Sequence, residues 1–190
     1  MRHAVFAILT LAGSWLTVFA APAPEEKDYQ KIADKEEWKW TPERASARDS
    51  AKHFKGDFHA EAVEKDSNGF TIVKFLKGDD VVFSVEGHEG TVFAGKDNVV
   101  YYADYSPNAS GCSVIAYDLK AKKQVWKTSL KGLGPIRHTR YSNRVILDIK
   151  DDAVHVLGKE SAGTYVEYLD LKSGKTVGHR IFEQAGGKDK

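Results

Sequence analysis

Cysteine is nearly absent. Among 190 residues there is only Cys112, so no internal disulfide can staple the fold and stability must come from a packed core, which a chain of this length can supply. Because Cys112 lies in a loop before an apolar run and not just behind the leader, it is no lipid-attachment site; a small buried thiol is the expected role. A charge excess is missing too. Lys and Arg total 28 against 27 Asp and Glu, with no basic stripe, which argues against the phosphate-neutralising surface that nucleic-acid binding requires. The one long apolar run, Ala4 to Phe19, is broken by Gly13 and Ser14 and falls short of the ~20 apolar residues of a spanning helix, so no stable membrane anchor is expected. Chemical motifs are lacking as well: there is no His-x-His, HExxH, CxxC or Gly-x-Ser-x-Gly, and the acid pairs Asp79-Asp80 and Asp151-Asp152 fall in turns. No catalytic residue, metal ligand set or cofactor is nominated. The nearest histidine cluster, His53 with His59 and Glu61, is too sparse for zinc.

What is present begins with a basic start (Arg2), the apolar run, and small residues at Val18-Phe19-Ala20 or Ala21-Pro22-Ala23 where a peptidase would cut. Residues 1–21 therefore read as an export signal and the mature chain as secreted or periplasmic. Residues 22–56 follow as a charged arm and a short helix. Tyr29, Ile32, Trp38 and Trp40 could pin the arm, although their spacing fits neither a helical nor a strand period. Thr41-Pro42-Glu43 is a helix-start signal for a short helix through Lys52.

From Asp57 to Phe182 the pattern has period two, and residues 183–190 read as a disordered tail. FHAEAVE and FTIVKFL, joined by Asp66-Ser67-Asn68-Gly69, predict a hairpin. Lys77-Gly78-Asp79-Asp80 turns into a strand where Val81, Phe83 and Val85 should share a face. Two copies of a longer unit come next. Asp118 recurs as Asp170, 52 residues on, and Lys96-Asp97-Asn98 recurs as Lys150-Asp151-Asp152 at 54, so the copies differ by two residues of loop. Each reads strand, turn, strand, loop, strand, turn, strand. The loops are SPNASGC, with a glycosylation sequon at Asn108, and KESAGT.

In the first copy Ala116, Asp118 and Trp126 resemble the tryptophan-docking motif of the quinoprotein-like propeller family, with Ala121 and Lys122 where Thr and Gly are usual. In the second, Asp170, Ser173 and Gly174 keep the turn half of that motif, while Tyr168 and Gly178 replace the Ala and the Trp. The resemblance implies antiparallel four-stranded blades, two clear and one possible at residues 57–86, and a Trp126 indole buried on the adjacent unit. It also leads Gly178 to be expected tolerant of substitution by comparison with Trp126. Full-size dehydrogenases of that family carry pyrroloquinoline quinone and calcium in a closed ring, whereas two or three blades cannot close one. The exposed faces and edges must then be covered by residues 25–52 or by another chain. A small β-barrel or a sandwich is the alternative architecture.

The fold class is thus all-β and antiparallel with a short N-terminal helix. The expected function is an exported, non-enzymatic binding or scaffold module with a protein partner or self-association. The alternatives are a small-ligand-binding barrel and a cut-down quinone-dependent oxidoreductase. The loop from Lys131 to Asn143 gathers Arg137, His138, Arg140 and Tyr141, donors suited to a small anionic ligand.

Overall fold

The computed structural model describes residues 27–37, 50–52, 54, 56–64, 70–88, 93–104, 112–131, 144–160 and 163–183. Its elements in chain order are α1 (Tyr29–Lys35), β1 (His59–Glu64), β2 (Phe70–Lys77), β3 (Asp80–His88), β4 (Phe93–Lys96), β5 (Val99–Asp104), β6 (Ser113–Asp118), β7 (Lys123–Ser129), β8 (Arg144–Lys150), β9 (Ala153–Glu160), β10 (Gly163–Asp170) and β11 (Thr176–Glu183). Residues 50–52 add a helical turn. The strands form three antiparallel meanders, β1-β2-β3, β4-β5-β6-β7 and β8-β9-β10-β11, here called the first, second and third sheets. The described residues close no barrel, and the possible early unit is a sheet of its own.

Turn chemistry sets the registers. Lys96 pairs with Val99 and Lys150 with Ala153, so each hairpin turns on two residues. The first of these, Asp97 or Asp151, sits at φ 56° or 57°, a left-handed conformation that Asp tolerates better than most side chains. The second copy's loop is tighter than its KESAGT sequence suggests. β9 runs to Glu160 and β10 starts at Gly163, against Asp104 and Ser113 in the first copy, so the connection is six residues shorter, each strand two longer, and the net difference between copies two.

Strand alternation then stacks the sheets. Val73, Phe75 and Phe93 pack with Val100 and Leu119 between the first and second sheets. Tyr101, Val114 and Trp126 pack with Val145, Leu147, Val156 and Tyr165 between the second and third. β5 is buried on both faces, with Val100 on one side and Tyr101 and Ala103 on the other, as its unbroken apolar run predicts. Each fully buried large side chain of this kind stabilises the stack by ~1.5–3 kcal/mol.

One irregularity recurs in all three sheets. Val82, Val125 and Val177 are each an extra residue in the last strand: Phe75 pairs with Phe83 and Leu76 with Val81, Ala116 with Trp126 and Tyr117 with Gln124, Tyr168 with Gly178 and Leu169 with Thr176. Such a bulge flips the side-chain alternation beyond it. This corrects the shared face expected for β3: Val81 is 52% exposed, while Val82, Phe83 and Val85 face the core. The residue just past each bulge is aimed along the stack. Phe83 stacks on Tyr117 of the second sheet, ring centroids 3.8 Å apart. Trp126 packs on the third sheet, its Nε1 donating to the Leu171 carbonyl at 3.2 Å. Gly178, at the same place in the third sheet, meets α1 instead: a Cβ there would lie 2.5 Å from the Tyr29 carbonyl oxygen.

The arm differs from its sequence reading, since residues 29–35 are helical and closely docked. Asp28 caps the helix by accepting the Lys31 amide at 3.1 Å. Tyr29 and Ala33, one turn apart, are its buried residues, packed with Ala153, Val166 and Tyr168 on the outer face of the third sheet. Ile32, by contrast, is exposed. The β11 edge is covered too, because the Gln30 side-chain amide both donates to the His179 carbonyl (3.1 Å) and accepts from its N–H (3.2 Å). Arg180 caps the helix C-terminus through the carbonyls of Asp34 and Glu36, at 2.7 and 3.1 Å. The signal region, Trp38, Trp40, the helix start at Thr41, Asn108 and the tail from residue 184 lie outside the described residues.

Candidate functional site

The first strands of the second and third sheets, β4 and β8, each pair with a single neighbour among the described residues, and a cleft opens where they approach. Its volume is about 300 Å³, the small end of the range for ligand pockets. β4 contributes Phe93, Ala94 and Gly95, and β8 contributes Leu147, Asp148 and Ile149. The third wall is the turn at Ser50 and Phe54. The Phe54 amide donates to the Ser50 carbonyl at 3.1 Å, closing a helical turn, and Ser50 Oγ accepts the Phe93 amide at 3.4 Å, stitching that turn to β4.

A glycine makes this wall possible. An ideal Cβ on Gly95 would lie 2.1 Å from the Phe54 ring, so the ring rests directly on the β4 backbone. Phe54 is held from behind by Phe75 and Phe93, at centroid distances of 5.2 and 5.8 Å. The cleft therefore offers an aromatic and aliphatic lining with a hydroxyl and one carboxylate, a composition suited to binding an apolar body with a few polar contacts.

Beneath α1 lies a second grouping. His155 on β9 is packed edge-on against Tyr168, centroids 4.7 Å apart, and against Tyr29, 6.0 Å apart. Its Nε2 is buried and makes no hydrogen bond, and burial holds the imidazole below its ordinary pKa, against the opposing field of Asp148. The Tyr29 hydroxyl donates to Asp152, and the Tyr168 hydroxyl donates to Glu36 at 2.8 Å. Burial raises both phenols, reinforced by those carboxylates, and the Tyr29 bond in turn holds Asp152 below the usual carboxylate range. Lys27 pairs with Asp151 on the same hairpin tip. His155 stands opposite Asp148 in the β8–β9 ladder, and docking of α1 lays Tyr29 against its ring.

Cys112 is buried as expected, 2% exposed, and burial pushes its thiol up. His59 and Glu61 approach to 3.9 Å on β1, while His53 lies outside the described residues. Among those residues no three His, Cys, Asp or Glu side chains converge to hold a metal ion. Arg137, His138, Arg140 and Tyr141 also lie outside the described residues. The strand end that leads into their loop is fixed: the Lys131 amide donates at 2.8 Å to Glu167, a fully buried carboxylate that also accepts Thr176 Oγ1 at 2.7 Å. Nothing in the alternation YVEYLD marks Glu167 as an internal anchor.

No family model matches the chain, and no curated protein matches it. Among solved structures, the Bacillus megaterium YpeB C-terminal domain is similar at a TM-score of 0.16 and 10% identity, over 73% of this chain and 95% of that one. A likeness that loose carries no argument about fold or function.

Proposed function

We propose that the chain is an exported, non-enzymatic binding module that holds a small, mostly apolar ligand in the cleft between β4 and β8. The observation that supports this reading is the Phe54–Gly95 contact, which builds an aromatic wall beside two strands that have one pairing partner each among the described residues. Export rests on the leader-like residues 1–21. A protein partner or self-association belongs to the same reading, and the small anion proposed for Arg137, His138, Arg140 and Tyr141 is a separate feature with its own test.

The neutral dye N-phenyl-1-naphthylamine distinguishes the two. It should gain fluorescence with the purified mature chain and lose that gain in Ala94→Phe, which fills the cleft from β4. Equal binding by both proteins, or none by the wild type, would sink the cleft proposal. The sulfonated analogue, titrated against Arg137→Ala/Arg140→Ala, reports on the basic loop: affinity unchanged by that double substitution removes the anion site.

A further inference from the structure

We propose that α1 is an acid-released latch: protonation of His155 unseats the helix and uncovers the outer face of the third sheet. This is independent of the cleft. The geometry places one titratable ring under the strap. His155 is flanked by Tyr29 from α1 and Tyr168 from β10, and its buried Nε2 has no hydrogen-bond partner. A proton arriving there puts a charge and a second N–H donor where no acceptor waits, whereas lifting α1 lets water solvate both.

The groups facing His155 from every packed element enter the balance. Asp148 and Lys150 come from β8, Asp151 and Asp152 from the β8–β9 turn, Glu36 from the end of α1, and the two phenols from Tyr29 and Tyr168. The carboxylates favour the imidazolium and the lysine and burial oppose it, with burial the largest influence. Asp151 and Asp152 are held below 3.8 by Lys27 and Tyr29 respectively, so both stay charged through mildly acidic pH and do not drive the change.

The strap is built to let go. At seven residues α1 is well below the ~12–15 at which an isolated helix becomes even marginally stable, so losing its dock also costs its helicity. Beyond Tyr29 and Ala33 its attachments are polar: Gln30 to His179, Arg180 to two carbonyls, Tyr168 to Glu36, Lys27 to Asp151. What it covers is apolar, including Val166, Tyr168 and Val177.

A proton preferred by the open state loosens the latch as pH falls from 6.5 toward the lowered value of the docked ring, and below that value the effect saturates. Hydrogen exchange of the α1 amides, corrected for intrinsic rates, should show the opening equilibrium rising by up to about tenfold per pH unit in that window. In His155→Phe it should be flat, and in Glu36→Gln the slope should persist. Ring NMR of the wild type gives a second reading that needs no variant, with a His155 midpoint below 6.5 coincident with the exchange change. Equal α1 protection at pH 7.5 and 5.0, a slope that survives in His155→Phe or disappears in Glu36→Gln, or a His155 midpoint at or above 6.5, would each overturn the latch.

Discussion

Trp126 and Gly178 hold the same position in successive sheets, each just past a one-residue bulge in the last strand, yet one reaches out and the other makes room. The Trp126 indole covers Gly174, where a Cβ would lie 2.5 Å from the ring. Over Gly178 runs the backbone of Tyr29 and Gln30. The stack thus continues by a side chain at one junction and by a helix at the next.

Trp126→Ala should therefore cost about 3–5 kcal/mol, the range for truncating a large buried aromatic. Gly174→Ala should also destabilise, because φ at residue 174 is +71° and the added methyl strikes the indole. The two substitutions should be strongly non-additive in urea melts, since they damage one contact. An unchanged midpoint in Trp126→Ala would show that the indole does not join the sheets.

Gly178→Ala is expected to detach α1 while the sheets stay folded, because the clash is with the Tyr29 carbonyl and not with a movable side-chain tip. Circular dichroism should keep its β signature while a protease gains cleavage at Lys31 and Lys35. A variant that protects α1 as well as the wild type does would restore the tolerance read from the sequence.

What the sequence leaves out is a matter of distance along the chain. The repeat was legible because Asp118 and Asp170 do the same local work, accepting the amides of Ala121 and Ser173 at 2.8 and 2.7 Å, and strand alternation marked the buried faces of β5. The bulges are silent in sequence, since an extra valine looks like any strand residue; Val81 was misplaced for that reason. α1 buries only Tyr29 and Ala33, too few to print a helical period, and its partners stand near residue 180. The cleft was illegible for a similar reason: Phe54, Gly95 and Leu147 meet only through sheet stacking.

Lys122→Gly should stabilise the chain by roughly 0.5 kcal/mol. Lys122 sits at φ +53°, where a side chain costs ~1–2 kcal/mol and glycine costs nothing sterically, less the greater freedom glycine has when unfolded. Thermal melts check the sign, and a lower midpoint would contradict it.

Cys112 should resist thiol reagents at pH 8 until denaturant unfolds the chain, because its sulfur is buried and burial raises its pKa. Rapid labelling of the native protein would mean that the Cys112 loop opens.

Alkali should unfold the stack within a defined window. Burial raises Tyr101 and Tyr102 from 10 to about 12, so the folded state keeps phenolic protons that the unfolded chain releases. Their contribution is intact below pH 10 and lost as pH climbs to 12. Tyrosinate absorbance should show these phenols titrating late, and ordinary titration of all eight tyrosines near 10 would refute their burial.

Chain order gives α1 an unusual place in assembly. Gln30 bonds to His179, 149 residues later, so an early segment of the chain finds its seat only after nearly all the rest exists. Each sheet can zip from its own local hairpins, but the helix, which also rests on Ala153, Val166 and Tyr168 of β9 and β10, has its full seat only once β11 is paired. Docking of α1 is therefore among the last contacts that chain order permits, and a chain lacking β11 would lose the His179 and Arg180 bonds that hold the helix.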